Sequence, residues 1–307
     1  MFFVLLLMGF YTETSVADVS DLNTALKNTY IACVNIDDNL HELKVLAGIN
    51  TAVTAVGTGL GVGATATGFA KTSNDNRIEE LEKELKRLSN EYTGLEPTNE
   101  EREAFLKEFD EYETLHANDE IKTEIDVLTE KSKKLGNWRT GLMAGNTATN
   151  ITGAIISSKT VNRDDIQNQI EKCINATKEL NNAILVAKLN GEDTSEAKQI
   201  YDICHEYEYI DISPINKRGT GAMVSSAIGA GLGGIGTITS GVANTDKIRD
   251  DNSDAGKKKE KDLNTTSNVL AVGATAASAT AMVFNVTQIA TIKKVAKVSE
   301  SCTGVLK

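Results

Sequence analysis

Charge is distributed along this chain in blocks much longer than a helical turn. Four stretches, Val45 to Ala70, Thr140 to Ser158, Gly219 to Thr245 and Leu263 to Ile292, contain no Asp, Glu, Lys or Arg, and charged residues bound each of them. Small residues recur in them at every fourth position: Thr51, Ala55, Gly59, Gly63 and Thr67 in the first, and Gly141, Gly145, Thr149, Gly153 and Ser157 in the second. The third gives Ser225, Gly229, Gly233, Thr237 and Gly241, and the fourth Ser267, Ala271, Thr275 and Ala279, with Gly273 between them. Residues four apart share a helix face, so each stretch predicts a helix with a smooth groove for a second helix. These helices resemble glycine-zipper segments, a packing theme with no single activity.

The interleaved Val53, Val56, Leu60 and Val62 are too apolar for a flexible linker. A phosphate loop needs GxxxxGK[ST], and a dinucleotide fingerprint needs a strand before it; neither context is present. A helical glycine costs about 1 kcal/mol relative to alanine, which close packing must offset. Each stretch is long enough to cross a bilayer at about 1.5 Å per residue. The Thr, Ser and Asn on most turns instead favour a bundle in water or at a surface.

The stretches recur in pairs. "GLGVGATATGFAKT" from Gly59 returns as "GLGGIGTITSGVANT" from Gly231 with one residue inserted, and "KKLGNWRTGLMAGNTATNIT" from Lys133 returns as "KDLNTTSNVLAVGATAASAT" from Lys261 without a gap. Cysteines flank both pairs at similar offsets, Cys33 and Cys173 around the first, Cys204 and Cys302 around the second. A tandem duplication of an antiparallel helical hairpin is expected, in 18–189 and 218–307, joined by a connector over 190–217. The first copy carries an insertion, about 71–134, where "NRIEELEKELKRLSNEY" puts Ile78, Leu81, Leu85 and Leu88 on one stripe. That segment reads as a charged amphipathic arm of two or three helices with a solvated face. "CHEYEYIDISPINKRGTG" alternates weakly and predicts an extended crossover that ends at Pro214.

"MFFVLLLMGFYTETSVADVSD" has an apolar core from Phe2 to Phe10, then Ser15 and Ala17 at cleavage-site spacing, and predicts a signal peptide over 1–17. An even number of cysteines in an exported chain predicts two disulfides. The midpoint of Cys204 and Cys302 is Ser253, inside the expected turn "DDNSDAG", as a hairpin requires; Cys33 with Cys173 is the matching pair. The rival scheme joins Cys173 to Cys204.

A net charge of -11 argues against nucleic acid. The three histidines, His41, His116 and His205, form no ligand motif, so no metal or other cofactor is expected. Cys204 beside His205 is not a nucleophile and base if the thiol is oxidised. Asn-x-Thr occurs at Asn150, Asn175, Asn264 and Asn285. The expectation is an all-α, exported, non-enzymatic scaffold of the cell envelope or extracellular space. It has no evident small-molecule substrate, and either self-associates through Gly59, Gly63, Gly145, Gly153, Gly229, Gly233, Gly241 and Gly273 or binds another envelope protein. The alternative is a membrane-inserting, pore-forming helical protein.

Overall fold

The computed structural model describes residues 21–93, 102–161, 163–249, 251 and 253–306, and the side chains of all of these except 89–93 and 102–116. The segment expected to be a signal peptide, the break at "GLEPTN" and the side chain of His116 lie outside what is described. The fold is all-α, with no strand among the described residues. Among the described residues eight α-helices follow in order: α1 Leu22–Cys33, α2 Ile36–Thr93, α3 Arg102–Ser158, α4 Asp164–Leu189, α5 Ser195–Cys204, α6 Ser213–Ala243, α7 Asp246–Arg249 and α8 Asp254–Leu306; a 3-10 turn spans His205–Tyr209.

Two compact units divide the chain, and they cut across the sequential segments 18–189 and 218–307. Unit 1 is made of Met1–Lys44, Asn162–Pro214 and Ala290–Lys307; unit 2 is Val45–Val161 with Ile215–Ile289. Both α2 and α8 contribute to each unit. Long helices running through a boundary make this possible, because one continuous buried seam can serve two cores.

Unit 1 has an ordinary apolar core. Leu40, Leu43, Ile170, Leu180, Ile200, Tyr207, Ile292 and Val295 are all buried in it. Its helices end on recognisable signals. After α4, Gly191 takes φ 79°, Gly191 N–H donates to Lys188 O and Glu192 N–H to Ala187 O, a Schellman closure that needs the freedom of glycine. Disulfides join α1 to α4 through Cys33–Cys173 (Cα–Cα 4.9 Å) and α5 to α8 through Cys204–Cys302 (4.7 Å). This is the pairing of the hairpin midpoints. The bonds close sequence separations of 140 and 98, each worth roughly 4–5 kcal/mol in the chain-entropy account.

The connector is not extended. Ser195–Cys204 is helical, Tyr207 is buried in the 3-10 turn, and Pro214 is the second residue of α6 instead of a terminator. Proline fits there because its missing N–H has no partner in the first helical turn and its φ is already helical. At the expected "DDNSDAG" turn, Ser253 Oγ accepts from Gly256 N–H at 3.0 Å and caps the start of α8.

Unit 2 is an up-down-up-down bundle of α2, α3, α6 and α8, each antiparallel to its neighbours. The buried positions follow alternating steps of three and four, as in a coiled-coil seam. On α2 they are Asn50, Thr54, Gly57, Gly61, Ala64 and Gly68, and on α6 Ala222, Ser226, Gly229, Gly233, Gly236 and Ser240, each 172 residues later. On α3 they include Arg139, Met143, Asn146, Asn150, Gly153 and Ser157, matched 128 residues later on α8 by Ser267, Ala271, Ala274, Ser278, Ala281 and Asn285. The one-residue insertion used to align α2 with α6 is therefore absent from the buried register.

Candidate functional site

The interior of unit 2 is polar, and it is arranged in layers. Near the unit's Gln288 end, Gln288 Nε2 donates to Ile215 O at 3.0 Å. In the next layer Asn50 Nδ2 donates to Ser157 Oγ (2.6 Å) and Asn285 Oδ1 (2.9 Å), and Asn285 Nδ2 to Thr54 Oγ1 (3.3 Å). Asn146, Asn150 and Ser278 then interlock: Asn150 Nδ2 donates to Asn146 Oδ1 and to Ser278 Oγ, both at 2.8 Å. Ala64, Met143 and Ala271 form one apolar layer. Beyond it Arg139, 0% exposed, donates from Nε to Ser240 Oγ (3.0 Å), from Nη1 to Asn268 Oδ1 (3.0 Å) and from Nη2 to Asn264 Oδ1 (2.6 Å). Lys71 closes this end with Asp75 at 2.7 Å and Glu260 at 3.0 Å.

Along the charge-free stretches of the same unit the large side chains that face outward are apolar. Val56, Val62, Phe69, Ile151, Ile155, Ile228, Ile235, Val272, Val283 and Val286 are exposed, and Ile238 and Val269 are each 67% so. Polarity is therefore inverted with respect to unit 1. The change runs along single helices: the α2 seam passes from Ile36, Leu40 and Leu43 to Asn50 and Thr54, and the α8 seam from Asn285 and Gln288 to Ile292 and Val295.

Glycines let the four backbones approach. A Cβ on Gly145 would meet Leu60 at 3.1 Å, on Gly273 Leu232 at 3.0 Å, on Gly63 Leu142 at 3.3 Å, on Gly153 Ser226 at 3.1 Å and on Gly229 Asn150 at 2.9 Å. On Gly233 it would meet Thr147 at 2.7 Å, and on Gly241 only Thr140 at 4.0 Å. Gly59 must be corrected: it is exposed, with nothing within 4 Å of such a Cβ. Gly141 has the same surroundings. Steps of four advance about 40° past each full turn, so an every-fourth ladder winds off any one face, whereas a mean step of 3.5 holds it. The fourth-position pattern therefore missed Gly57, Gly61, Gly68 and Gly236, which are buried. Arg139 and Lys71, buried at the edges of uncharged stretches, were missed too; Arg139 meets Asn264 and Asn268 of α8, which leaves no local signal, whereas Asp75, four residues after Lys71 on the same helix, was one.

The arm has its own ion pairs. Lys83 and Lys261 hydrogen-bond to Glu79 and hold its carboxyl down at about 2. In unit 1, Arg163 beside Asp165 lowers that carboxyl, and burial pushes the Tyr207 phenol up to about 12. Cys204 is bonded to Cys302 and so is no nucleophile; His205 Nδ1 lies 2.9 Å from Asp202 O and its ring stacks on Tyr201. Asn150, Asn264 and Asn285 are buried and Asn175 is exposed. No protein-family model, curated protein or solved structure matches the chain.

Proposed function

We propose that this protein is a non-enzymatic scaffold of a cell envelope, held in a lipid bilayer by its second unit. The inverted polarity of unit 2 carries this reading. In water, a bundle with Asn, Ser, Thr and Gly inside and Val, Ile and Phe outside gains little from burial. In lipid the same arrangement is favourable, because small residues allow close backbone packing and most of the buried amides and hydroxyls bond one another, Asn50 Oδ1, Ser226 Oγ and Gln288 Oε1 excepted.

Dimensions agree with it. The exposed apolar residues of α6 run from Val224 to Val242, about 27 Å of helix, and those of α8 from Val269 to Val286, about 26 Å, against a hydrocarbon core of about 30 Å. Among the described residues, α2, α6 and α8 contain stretches long and apolar enough to cross a membrane. The α3 stretch is more polar in composition, with Asn146, Thr147, Thr149 and Asn150 close together around its middle, and its asparagines turn inward. Trp138, 68% exposed at the start of that stretch, has the amphipathic ring favoured at a lipid–water interface. The disulfides of unit 1 fit an oxidising compartment.

The interior is crossed by layers of hydrogen-bonded side chains, which favours an anchor over an open pore. The buried glycine faces are occupied within the chain, so self-association through them is not part of the proposal. Trp138 is the single tryptophan and serves as the probe. Purified full-length protein reconstituted in liposomes should resist carbonate extraction, release no entrapped dye, and show Trp138 fluorescence quenched by lipids brominated near the headgroup. A protein that is monomeric in detergent-free buffer and ignores liposomes overturns the reading.

A further inference from the structure

The two disulfides of unit 1 are neighbours. Cys302 Sγ, bonded to Cys204, lies within 4.8 Å of both sulfurs of the Cys33–Cys173 bond. All four cysteines are 0% exposed, and they come from four different helices, α1, α4, α5 and α8. We propose that this cluster is an intramolecular thiol–disulfide exchange site, with Cys302 as the relay sulfur. Cys204 Sγ falls outside the 4.8 Å group, so the two sulfurs of its bond are not equivalent.

The step balances without an external oxidant. When Cys302 carries a thiolate, its sulfur attacks Cys173 Sγ; the Cys302–Cys173 bond forms, the Cys33–Cys173 bond breaks, and the electron pair leaves on Cys33 as thiolate. Attack on Cys33 Sγ gives the alternative product with Cys173 released. The oxidation state of the whole is unchanged, since one disulfide and one thiolate stand on each side. Exchange of this type proceeds by direct displacement at sulfur and depends on access of the attacking thiolate. Here burial denies that access to outside thiols, while the neighbouring helix supplies it. The thiolate arises during oxidative folding whenever Cys33–Cys173 has closed and Cys204 and Cys302 have not yet joined. It also arises when a phosphine reduces Cys204–Cys302, water oxygen passing to phosphorus as two thiols form.

The consequence is that pairing in unit 1 is corrected from within. A chain that first closes Cys173–Cys302 can reach Cys33–Cys173 by the reverse displacement, leaving Cys302 free to meet Cys204.

The test uses the full chain. In Cys204→Ser, mapped by acid quenching, alkylation and mass spectrometry, Cys302 should be found crosslinked to Cys173 or Cys33 in part of the population, with Cys33 or Cys173 alkylated correspondingly. In Cys302→Ser, Cys204 is the free thiol and the Cys33–Cys173 bond should persist. The exchanged product should differ at least about tenfold between the two variants, reflecting a thiol held against its target in one and not the other. Equal scrambling in both, or quantitative alkylation of Cys302 in Cys204→Ser, overturns the proposal. Should Cys204→Ser fail to fold, substoichiometric phosphine on the unaltered protein decides: free thiols confined to the pairs 33 with 173 and 204 with 302 overturn it, and molecules with Cys204 free together with Cys33 or Cys173 support it.

Discussion

Gly233 faces Thr147 so closely that a Cβ on the glycine would stand 2.7 Å from the threonine Oγ1. The equivalent pair 172 and 128 residues away shows the same approach, with a Cβ on Gly61 at 2.5 Å from Thr275 Oγ1. Replacing Gly233 by Leu must separate α6 from α3, at an expected cost of about 3 kcal/mol. Thermal unfolding in detergent checks it, and an unchanged midpoint would show that the two helices are not in contact.

Gly59 and Gly231 give the opposite expectation. Neither has an atom within 4 Å of a Cβ, and both are exposed on continuous helix. Gly59→Ala and Gly231→Ala should each stabilise the protein by about 0.5–1 kcal/mol through helix propensity. A loss of stability in either would mean that an outer face is covered.

Ile235 is 55% exposed midway along the uncharged stretch of α6. On a water-facing surface Ile235→Lys changes stability by less than about 0.5 kcal/mol, whereas at the centre of a bilayer it costs about 2.5–3.5 kcal/mol. Membrane insertion of the variant, scored by carbonate extraction, should fall sharply; full retention places Ile235 outside the hydrocarbon.

The Asn50–Asn285 bond joins the first bundle helix to the last. A double-mutant cycle with Asn50→Ala and Asn285→Ala should yield a coupling of about 0.6–1.7 kcal/mol, the range for hydrogen bonds between helices in lipid. Zero coupling would remove this bond from the folded protein.

Glu79 supplies the pH dependence. Its carboxyl is held down at about 2 in the folded protein, chiefly by Lys83 and then by Lys261, against 4.5 ordinarily. A depressed folded value means that the contact stabilises fully above about 4.5 and is lost as pH falls towards 2. Carbon-detected NMR should give Glu79 a midpoint near 2, and Lys83→Ala should raise it. An unaltered carboxyl in the native protein, titrating at 4.5, contradicts the arm geometry.

Composition and charge blocks made the all-α class legible, and the cysteine midpoints made the pairing legible. Small residues announced that helices would approach closely, but not which face they would share. Gly59 and Gly61 are equally small, and only the sustained step of 3.5 from Ile36 through Lys71 separates the exposed one from the buried one. The two-unit division was hidden for a different reason: the boundaries fall inside α2 and α8, where the charge-free stretches begin or end without a break in helical periodicity. Pro214 misled because its local preference suits either side of a helix start, and only the following α6 seam decides which.

The alliance of Asn50 with Asn285 also fixes an order of events in the proposed membrane. A chain delivered from its N-terminal end places Asn50 in the bilayer before either partner exists, so the earliest helix waits with an amide that gains Ser157 first and Asn285 last. Truncation anywhere before α8 would leave asparagines of two helices facing lipid or a chaperone. In the proposed membrane, α8 is therefore the helix that conceals the last of those amides.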